Sequence, residues 1–189
     1  KGENETADII GELAILFRKT MSWGKDYISV GEEMAFIDNY IQIQRYRFGD
    51  KIKYYHYVMD ECYDCIIPKL SISTFVENAC IHGIETTDKE GVISVTVTKN
   101  QDSLMIEVSD NGKGIDEERL IKLRKMIDNA DSSMLVQSDS TGILNSFLRL
   151  KTYSDNNVNL DIDSEFGSGT DILIQLPLIY ISKEEPIDD

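Results

Sequence analysis

The chain has 189 residues, 41% of them hydrophobic, and its 34 acidic against 19 basic side chains leave a formal charge of −15. That is enough apolar chain for one domain with its own core, and a surface so acidic repels a phosphate backbone over most of its area, which excludes nucleic acid as a partner. Any polyanion it does bind has to be met by a few local donors: helix N-termini, backbone N–H groups, a metal ion or isolated Lys and Arg.

In chain order, Ile9, Ile10, Leu13, Leu16 and Phe17 recur at helical spacing and predict an amphipathic helix over 7–21, interrupted at Ser22-Trp23-Gly24. Ser29-Val30-Gly31-Glu32 reads as a capping box, opening a second helix that carries Met34, Ile37, Tyr40 and Ile41 toward Phe48. Gly49-Asp50 ends it, and 51–59 alternates as a strand. Cys62-Tyr63-Asp64-Cys65 has a redox or half-zinc spacing, but there is no second such pair and the histidines are His56 and His82, so these read as ordinary thiols. With no signal-peptide pattern, a reduced, cytoplasmic setting is expected. Pro68 is placed to start a third helix with a core face of Leu70, Ile72, Phe75, Val76 and Ala79, stopping at Gly83. The stretches 92–98 and 104–109 read as a hairpin, 117–127 and 142–153 as helices, and 128–140 as a polar, aperiodic and mobile connection between them. Two more strands, 158–162 and 170–176, flank the turn at 165–169, and 183–189 reads as a solvated tail. The apolar run 172–181, broken by Gln175 and Pro177, is well short of the roughly 20 residues that span a bilayer, so no membrane segment is expected in this chain.

Polar residues interrupt this pattern in four places. Val76-Glu77-Asn78-Ala79-Cys80-Ile81-His82-Gly83 sets a carboxylate, an amide and an imidazole into an apolar helix, with Asn78 and His82 on one face. Burying such groups is costly unless they are paired; a hydrated Mg²⁺ on a nucleotide would pair them, Asn78 offering a neutral oxygen and Glu77 polarising an attacking group. The alternative is that they face solvent or cap neighbours. Asp110-Asn111-Gly112-Lys113-Gly114-Ile115 leaves a strand and leads to a helix; an acid there can accept from the exocyclic amine of adenine, where guanine presents an oxygen. A plain strand-to-helix turn is the other reading. Ser140-Thr141-Gly142-Ile143-Leu144-Asn145 opens a helix and can offer N–H groups to phosphates, and Gly167-Ser168-Gly169-Thr170 opens the final strand and can bring Thr170 near the base, on the side of Asp110. Each also serves as an N-cap or a tight turn. The order and spacing of all four is the informative feature.

These motifs, with Tyr40-Ile41-Gln42-Ile43-Gln44-Arg45-Tyr46-Arg47-Phe48, Ile67-Pro68 and Arg149-Leu150, resemble the ATPase domain shared by histidine kinases, gyrase, the MutL proteins and the large heat-shock chaperone, and within it the LytS/YesM-like sensor histidine kinases. The resemblance covers about 30–178. It implies an α+β fold, a two-layer α/β sandwich of the Bergerat type with a mixed sheet covered on one face by helices. It further implies a helical remnant of the dimerisation and phosphoacceptor region over 1–28, an ATP-binding domain over 29–180 and a tail over 181–189. In that frame Glu77 is the general base and Asn78 the Mg²⁺ ligand. His82 is a phosphate-side contact and Asp110 the adenine anchor. Gly112 and Gly114 shape the pocket, 116–141 is the ATP lid with Gly142 and Asn145 on its closing side, and Thr170 lies near the adenine. Lys113 and Arg149 are further candidates for phosphate-side charge, a structural ion pair being the other reading of Arg149.

The chain departs from the family's pattern at Ser73-Thr74, where glutamine then proline is usual, and at Ser140, where glycine is usual; a phosphoacceptor histidine within a Pro-His-Phe pattern is absent. The expected activity is transfer of the γ-phosphoryl of Mg·ATP to a histidine on an upstream segment, and from there to the receiver domain of a response regulator. The expected setting is a homodimeric, membrane-anchored bacterial sensor of which this is a cytoplasmic domain. Two alternatives stand beside it: an ATPase in which hydrolysis drives dimer closure, and a degenerate interaction module that needs no nucleotide.

Overall fold

The structure, a computed structural model, describes residues 26–87, 89–130 and 142–180. The expected helix over 7–21, most of the aperiodic stretch 128–140, Ser140 and Thr141, and the acidic tail lie outside the described residues.

After a short strand β1 (Tyr27–Ser29), helix α1 (Val30–Phe48) begins with the expected capping box: Ser29 Oγ accepts the Glu32 N–H at 3.1 Å, and the Glu32 carboxylate accepts the Ser29 N–H at 2.8 Å. The reciprocal pair satisfies donors that a helix start otherwise leaves open. Val30, Met34, Ile37 and Ile41 form its buried stripe. Strand β2 (Ile52–Val58) follows as the alternation requires.

Pro68 does not open the next helix. Ile66–Pro68 form a strand, β3, antiparallel to β1 with Pro68 opposite Tyr27, and the Lys69 N–H donates to the Asp26 carbonyl at 3.1 Å to extend the pairing. A proline is tolerated at the end of so short an outer pair. Leu70 then turns the chain with a φ of 61°, and helix α2 (Ser71–Asn78) starts three residues later than the proline suggested.

Helix α2 has no capping side chain of its own; the cap comes from α1. The Oε1 atom of Glu33, a fully buried residue, accepts the Ile72 N–H at 2.7 Å, the Ser73 N–H at 2.9 Å and the Ser73 hydroxyl at 3.0 Å, while Oε2 is buried without a partner among the described residues. Burial pushes the Glu33 carboxyl up to about 7, against the Ser73 and Ile72 hydrogen bonds and the charge of Arg149, which pull it down. The native state therefore holds this proton more tightly than the unfolded chain does. The stability linked to it is fully present below the ordinary carboxyl value of 4.5 and is lost as pH rises through 7. The advantage of wild type over Glu33→Gln in urea unfolding should shrink by about 3 kcal/mol from pH 4.5 to about pH 8; a difference independent of pH would refute the assignment.

Strands β2, β4 (Gly91–Asn100), β5 (Ser103–Asp110), β7 (Gly169–Pro177) and β6 (Asn159–Glu165) make one five-stranded sheet in the order β2-β4-β5-β7-β6. The β2–β4 pair is parallel and the others antiparallel, so the sheet is mixed. A parallel neighbour needs a long crossover, which 59–90 supply with α2 inside them. Alternate residues of each strand point to one face: Ile93, Val95 and Val97; Leu104, Ile106 and Val108; Leu160 and Ile162; Ile172, Ile174 and Leu176. Helices α2, α3 (Glu117–Asp128) and α4 (Gly142–Tyr153) cover that face with Ile72, Phe75 and Val76, with Leu120, Leu123 and Ile127, and with Ile143, Phe147, Leu148 and Leu150. Tyr55, Tyr57 and Leu173 on the opposite face are exposed. This is the expected two-layer α+β sandwich with helices on one side.

Candidate functional site

The inward parity of β5 runs Leu104, Ile106, Val108 and then Asp110, so the core stripe ends in a carboxyl group rather than a hydrocarbon. Strand pairing sets Ile93 and Thr170 beside Asp110, and Ser164 beside Thr170, making the last inward row of the sheet. Asp110 and Thr170 of this row line a cleft of about 480 Å³ between the sheet, α2, α3 and the start of α4. Phe75, Ala79, Val108, Leu123, Met126, Ile143 and Ile172 give the cleft an apolar lining, as small-molecule sites have.

Asp110 Oδ1 accepts the Gly112 N–H at 2.8 Å, which orients the carboxyl group. Burial pushes that group up to about 6; the nearby Asp171 charge pushes the same way and the Gly112 hydrogen bond opposes both. Glycine at 112 is required by contact. A Cβ there would lie 2.3 Å from the Gly83 carbonyl carbon, and the next residue, Lys113, donates its N–H to the Gly83 oxygen at 2.9 Å. Gly83 comes this close because α2 passes at Ala79 into a π-helical turn ending at Ile84, with the Glu85 N–H reaching back to the Cys80 carbonyl at 2.9 Å. Such a widened turn re-aims backbone and side chains, and it is often found at functional sites. Gly83 therefore lies within the helical segment, not past its end as expected.

Gly114 stands against the Glu165 carbonyl, and the Gly167 N–H donates to the Lys113 carbonyl at 2.6 Å, which closes the glycine loop onto the β6–β7 turn. Thr170 lines the cleft, its Oγ1 3.0 Å from Ser164 Oγ. Ser164 Oγ also donates to the Gly169 carbonyl at 2.7 Å and accepts the Ile115 N–H at 2.9 Å, tying strand, turn and loop together. Asn111 secures the other side: its side chain accepts the Val92 N–H at 2.6 Å and donates to the Glu90 carbonyl at 3.1 Å.

On α2, Asn78 and His82 both line the cleft. The Asn78 amide nitrogen donates to the Thr74 carbonyl one turn back at 2.6 Å, leaving its oxygen as an acceptor. Gly142 adjoins this pair: a Cβ there would lie 3.2 Å from Thr74 Cγ2 and 3.7 Å from Asn78 Nδ2. Glu77 faces solvent, the alternative reading of this helix, is not part of the lining, and its charge acts on Tyr40 and Cys80. Asn145 is half-buried on α4 and outside the lining. Arg149 donates to the Lys69 carbonyl and acts on Glu33, so in this structure its charge serves the α1–α2–α4 junction and not the cleft.

The lining also holds residues that motif reading passed over. Arg119 and Lys122 on α3 join Lys113 and His82 in giving the cleft donors for an anion, in a chain otherwise strongly acidic. Their spacing of three on one helix directly after the glycine loop was the available signal. Phe166, 62% exposed at the rim, lies with its ring 5.6 Å from the Lys113 ammonium. Among the described residues no cluster of His, Cys, Asp and Glu is able to hold a metal ion, and Cys62, Cys65 and Cys80 are buried free thiols. No helix of the described residues is long and apolar enough to cross a membrane.

Residues 68–179 match the family described as histidine kinase-, DNA gyrase B-, and HSP90-like ATPase, and residues 1–52 match the family described as histidine kinase. Among curated relatives, the chain is 30% identical over 114 residues to the sensor histidine kinase YesM of Bacillus subtilis, 31% over 152 residues to the sensor histidine kinase YpdA of Escherichia coli, and 28% over 177 residues to the sensor protein LytS of Bacillus cereus. These alignments take in 60%, 80% and 93% of this chain but 20%, 25% and 29% of the relatives, so the chain spans less than a third of their length. Among solved structures, the histidine kinase domain of the blue-light activated histidine kinase of Erythrobacter litoralis EL346 aligns with a TM-score of 0.54 at 18% identity, over 92% of this chain and 75% of that one. The catalytic domain of the histidine kinase ThkA aligns with a TM-score of 0.54 at 14% identity, over 81% of this chain and 95% of that one. Both share its fold. With its mixed sheet, its widened helix and its glycine loop around one cleft, the chain belongs to the histidine kinase-, DNA gyrase B- and HSP90-like ATPase family, and within that family it groups with the sensor histidine kinases.

Proposed function

We propose that the cleft binds Mg·ATP and that the domain passes the γ-phosphoryl group to a histidine on an upstream segment, from which it reaches the receiver domain of a response regulator. The observation that carries this reading is the polarity of the cleft: an oriented carboxyl group, Asp110, at the end of its apolar wall, and Lys113, Arg119, Lys122 and His82 among the remaining lining residues. Adenine is flat and apolar with an amine at its edge, and a triphosphate is an anion; the apolar lining with Asp110 suits the first and the cationic side chains suit the second. Asp110 accepts from the amine, with Thr170 beside it, and Gly112 and Gly114 let the backbone close around the base.

Asn78 fits a nucleotide-borne metal ion, because its nitrogen is occupied by Thr74 and its hard oxygen is left over. When bound, Mg²⁺ would neutralise charge on the phosphates. Glu77, exposed beside Asn78, suits a base that acts on an acceptor arriving from outside. His56 lies in β2, 3.4 Å from Asp38, and His82 lies in the cleft, so the acceptor is neither. In the whole protein we assign the region upstream of 29 to dimerisation, and the setting to a membrane-anchored sensor.

Calorimetric titration tests the first step: micromolar to millimolar affinity for Mg·ATP is expected, and no heat at millimolar nucleotide would sink the reading. In a chain extended upstream to carry an acceptor histidine, Glu77→Gln should slow labelled-phosphate transfer by about 100-fold with ATP affinity retained. Unchanged transfer removes the base assignment.

A further inference from the structure

The buried Glu33 carboxyl group joins segments that the two family matches treat separately: it belongs to α1, inside 1–52, and it caps α2, inside 68–179. Helix α2 starts at a left-handed Leu70 with no side-chain cap of its own, so the N–H groups of Ile72 and Ser73 depend on a residue 39 and 40 positions away. Seven residues beyond Ile72 the same helix passes into the π-turn that sets Gly83 against the glycine loop and carries His82 into the lining of the cleft. Ser73, where the family's pattern has a glutamine, donates its hydroxyl to the same oxygen. From α4, Arg149 acts on Glu33 while it holds the Lys69 carbonyl immediately before Leu70.

We propose that Glu33 is a positioning residue for the nucleotide helix: its carboxylate, carried on α1, holds the first turn of α2 in the register that presents Asn78 and His82 to the cleft, and so makes nucleotide affinity depend on where α1 stands. This rests on the cleft being the nucleotide site. A carboxylate at a helix N-terminus interacts with the helix dipole and with unpaired N–H groups, and the neutral acid does so more weakly. The charged form is thus the form that holds α2. The groups facing it are the Ile72 and Ser73 N–H groups and the Ser73 hydroxyl from α2, and the Arg149 guanidinium from α4; of these Arg149 alone is charged. By linkage, a nucleotide that prefers the held register draws the proton off Glu33.

Mg·ATP titration of the whole chain, wild type against Glu33→Gln, at pH 6 and pH 8 tests this. Glutamine keeps the shape and the accepting oxygen and removes the charge. Equal affinities within twofold are expected at pH 6, where the wild-type group is protonated, and about fivefold tighter binding by wild type at pH 8. The ratio of the two proteins cancels the titration of Asp110, which both retain. A ratio that is the same at both pH values overturns the proposal, whether it is one, as for an inert residue, or larger, as for a merely structural one. Should Glu33→Gln fail to fold, Ser73→Ala serves: loss of one donor to Oε1 should move the midpoint of the pH–affinity curve upward, and an unmoved midpoint counts against the cap. Absence of ATP binding by wild type at either pH would instead overturn the nucleotide reading itself.

Discussion

Asp110→Asn is expected to weaken Mg·ATP binding by about 100-fold while leaving the fold more stable at neutral pH. The Gly112 N–H keeps its acceptor, since asparagine also presents an oxygen, so the amide nitrogen is turned toward the adenine amine and two donors oppose each other. Guanine presents an oxygen at that edge, so the same substitution should narrow or reverse the preference for ATP over GTP. Calorimetry with both nucleotides on both proteins measures this, and equal affinity of wild type for ATP and GTP would remove the adenine role. The rise in stability follows from the pKa. Burial lifts the carboxyl from 3.8 to about 6, so its contribution is fully present below pH 3.8 and lost as pH rises through 6. At pH 7 the wild type carries an unfavourable charge that the amide lacks. A protein destabilised by Asp110→Asn at pH 7 would contradict the shift, and a binding loss accompanied by higher stability cannot be ascribed to unfolding. The residue is kept at a cost to stability, a common pattern at functional sites.

Gly169→Ala should be the most disruptive single methyl group in the described structure. Gly169 has a φ of 111°, where L-residues are strained, and a Cβ would lie 1.9 Å from the Asp110 carbonyl oxygen, a backbone atom with no rotamer to yield. Strain and overlap together should cost about 4 kcal/mol in urea unfolding, and nucleotide affinity should fall with it because the displaced residue is Asp110. Gly167→Ala is the control. It has a φ of 91° but nothing within 4 Å of its Cβ position, so it carries the strain without the overlap and should cost about 1–2 kcal/mol. Equal losses in the two variants would show that backbone strain, not close approach, requires glycine in this turn.

Local pattern carried much of the fold. The capping box at Ser29 and Glu32, the alternation in β4 and β5, and the periodicity of α3 and α4 are all decided within a few residues, by backbone hydrogen bonding and by which face is apolar, and the structure follows them. Pro68 misled because a proline suits both the first turn of a helix and the end of an edge strand. Pairing with Tyr27, 41 positions away, settled it, and no window around Pro68 contains that partner. The candidate site was legible in the same uneven way. Asp110 and Thr170 could be placed together because each continues an inward-facing alternation to the end of its strand, and both line the cleft. Whether Glu77 faces the cleft or solvent was left open by its helix, since one position of rotation decides between them, and the neighbouring α1, not the helix itself, determines which face is covered.

By itself, the sequence determined the class of fold, the order of the elements and the identity of the loop and helix that line the cleft, because those depend on propensity, periodicity and glycine placement, which act at short range. Tertiary structure alone decided that α2 is capped by Glu33 from α1, that Arg149 is spent on Lys69 and Glu33 rather than on the cleft, that Arg119, Lys122 and Phe166 join the lining, and that Gly112 must lie against Gly83. Each of these brings together residues far apart in the chain, and they meet only once the two layers have packed.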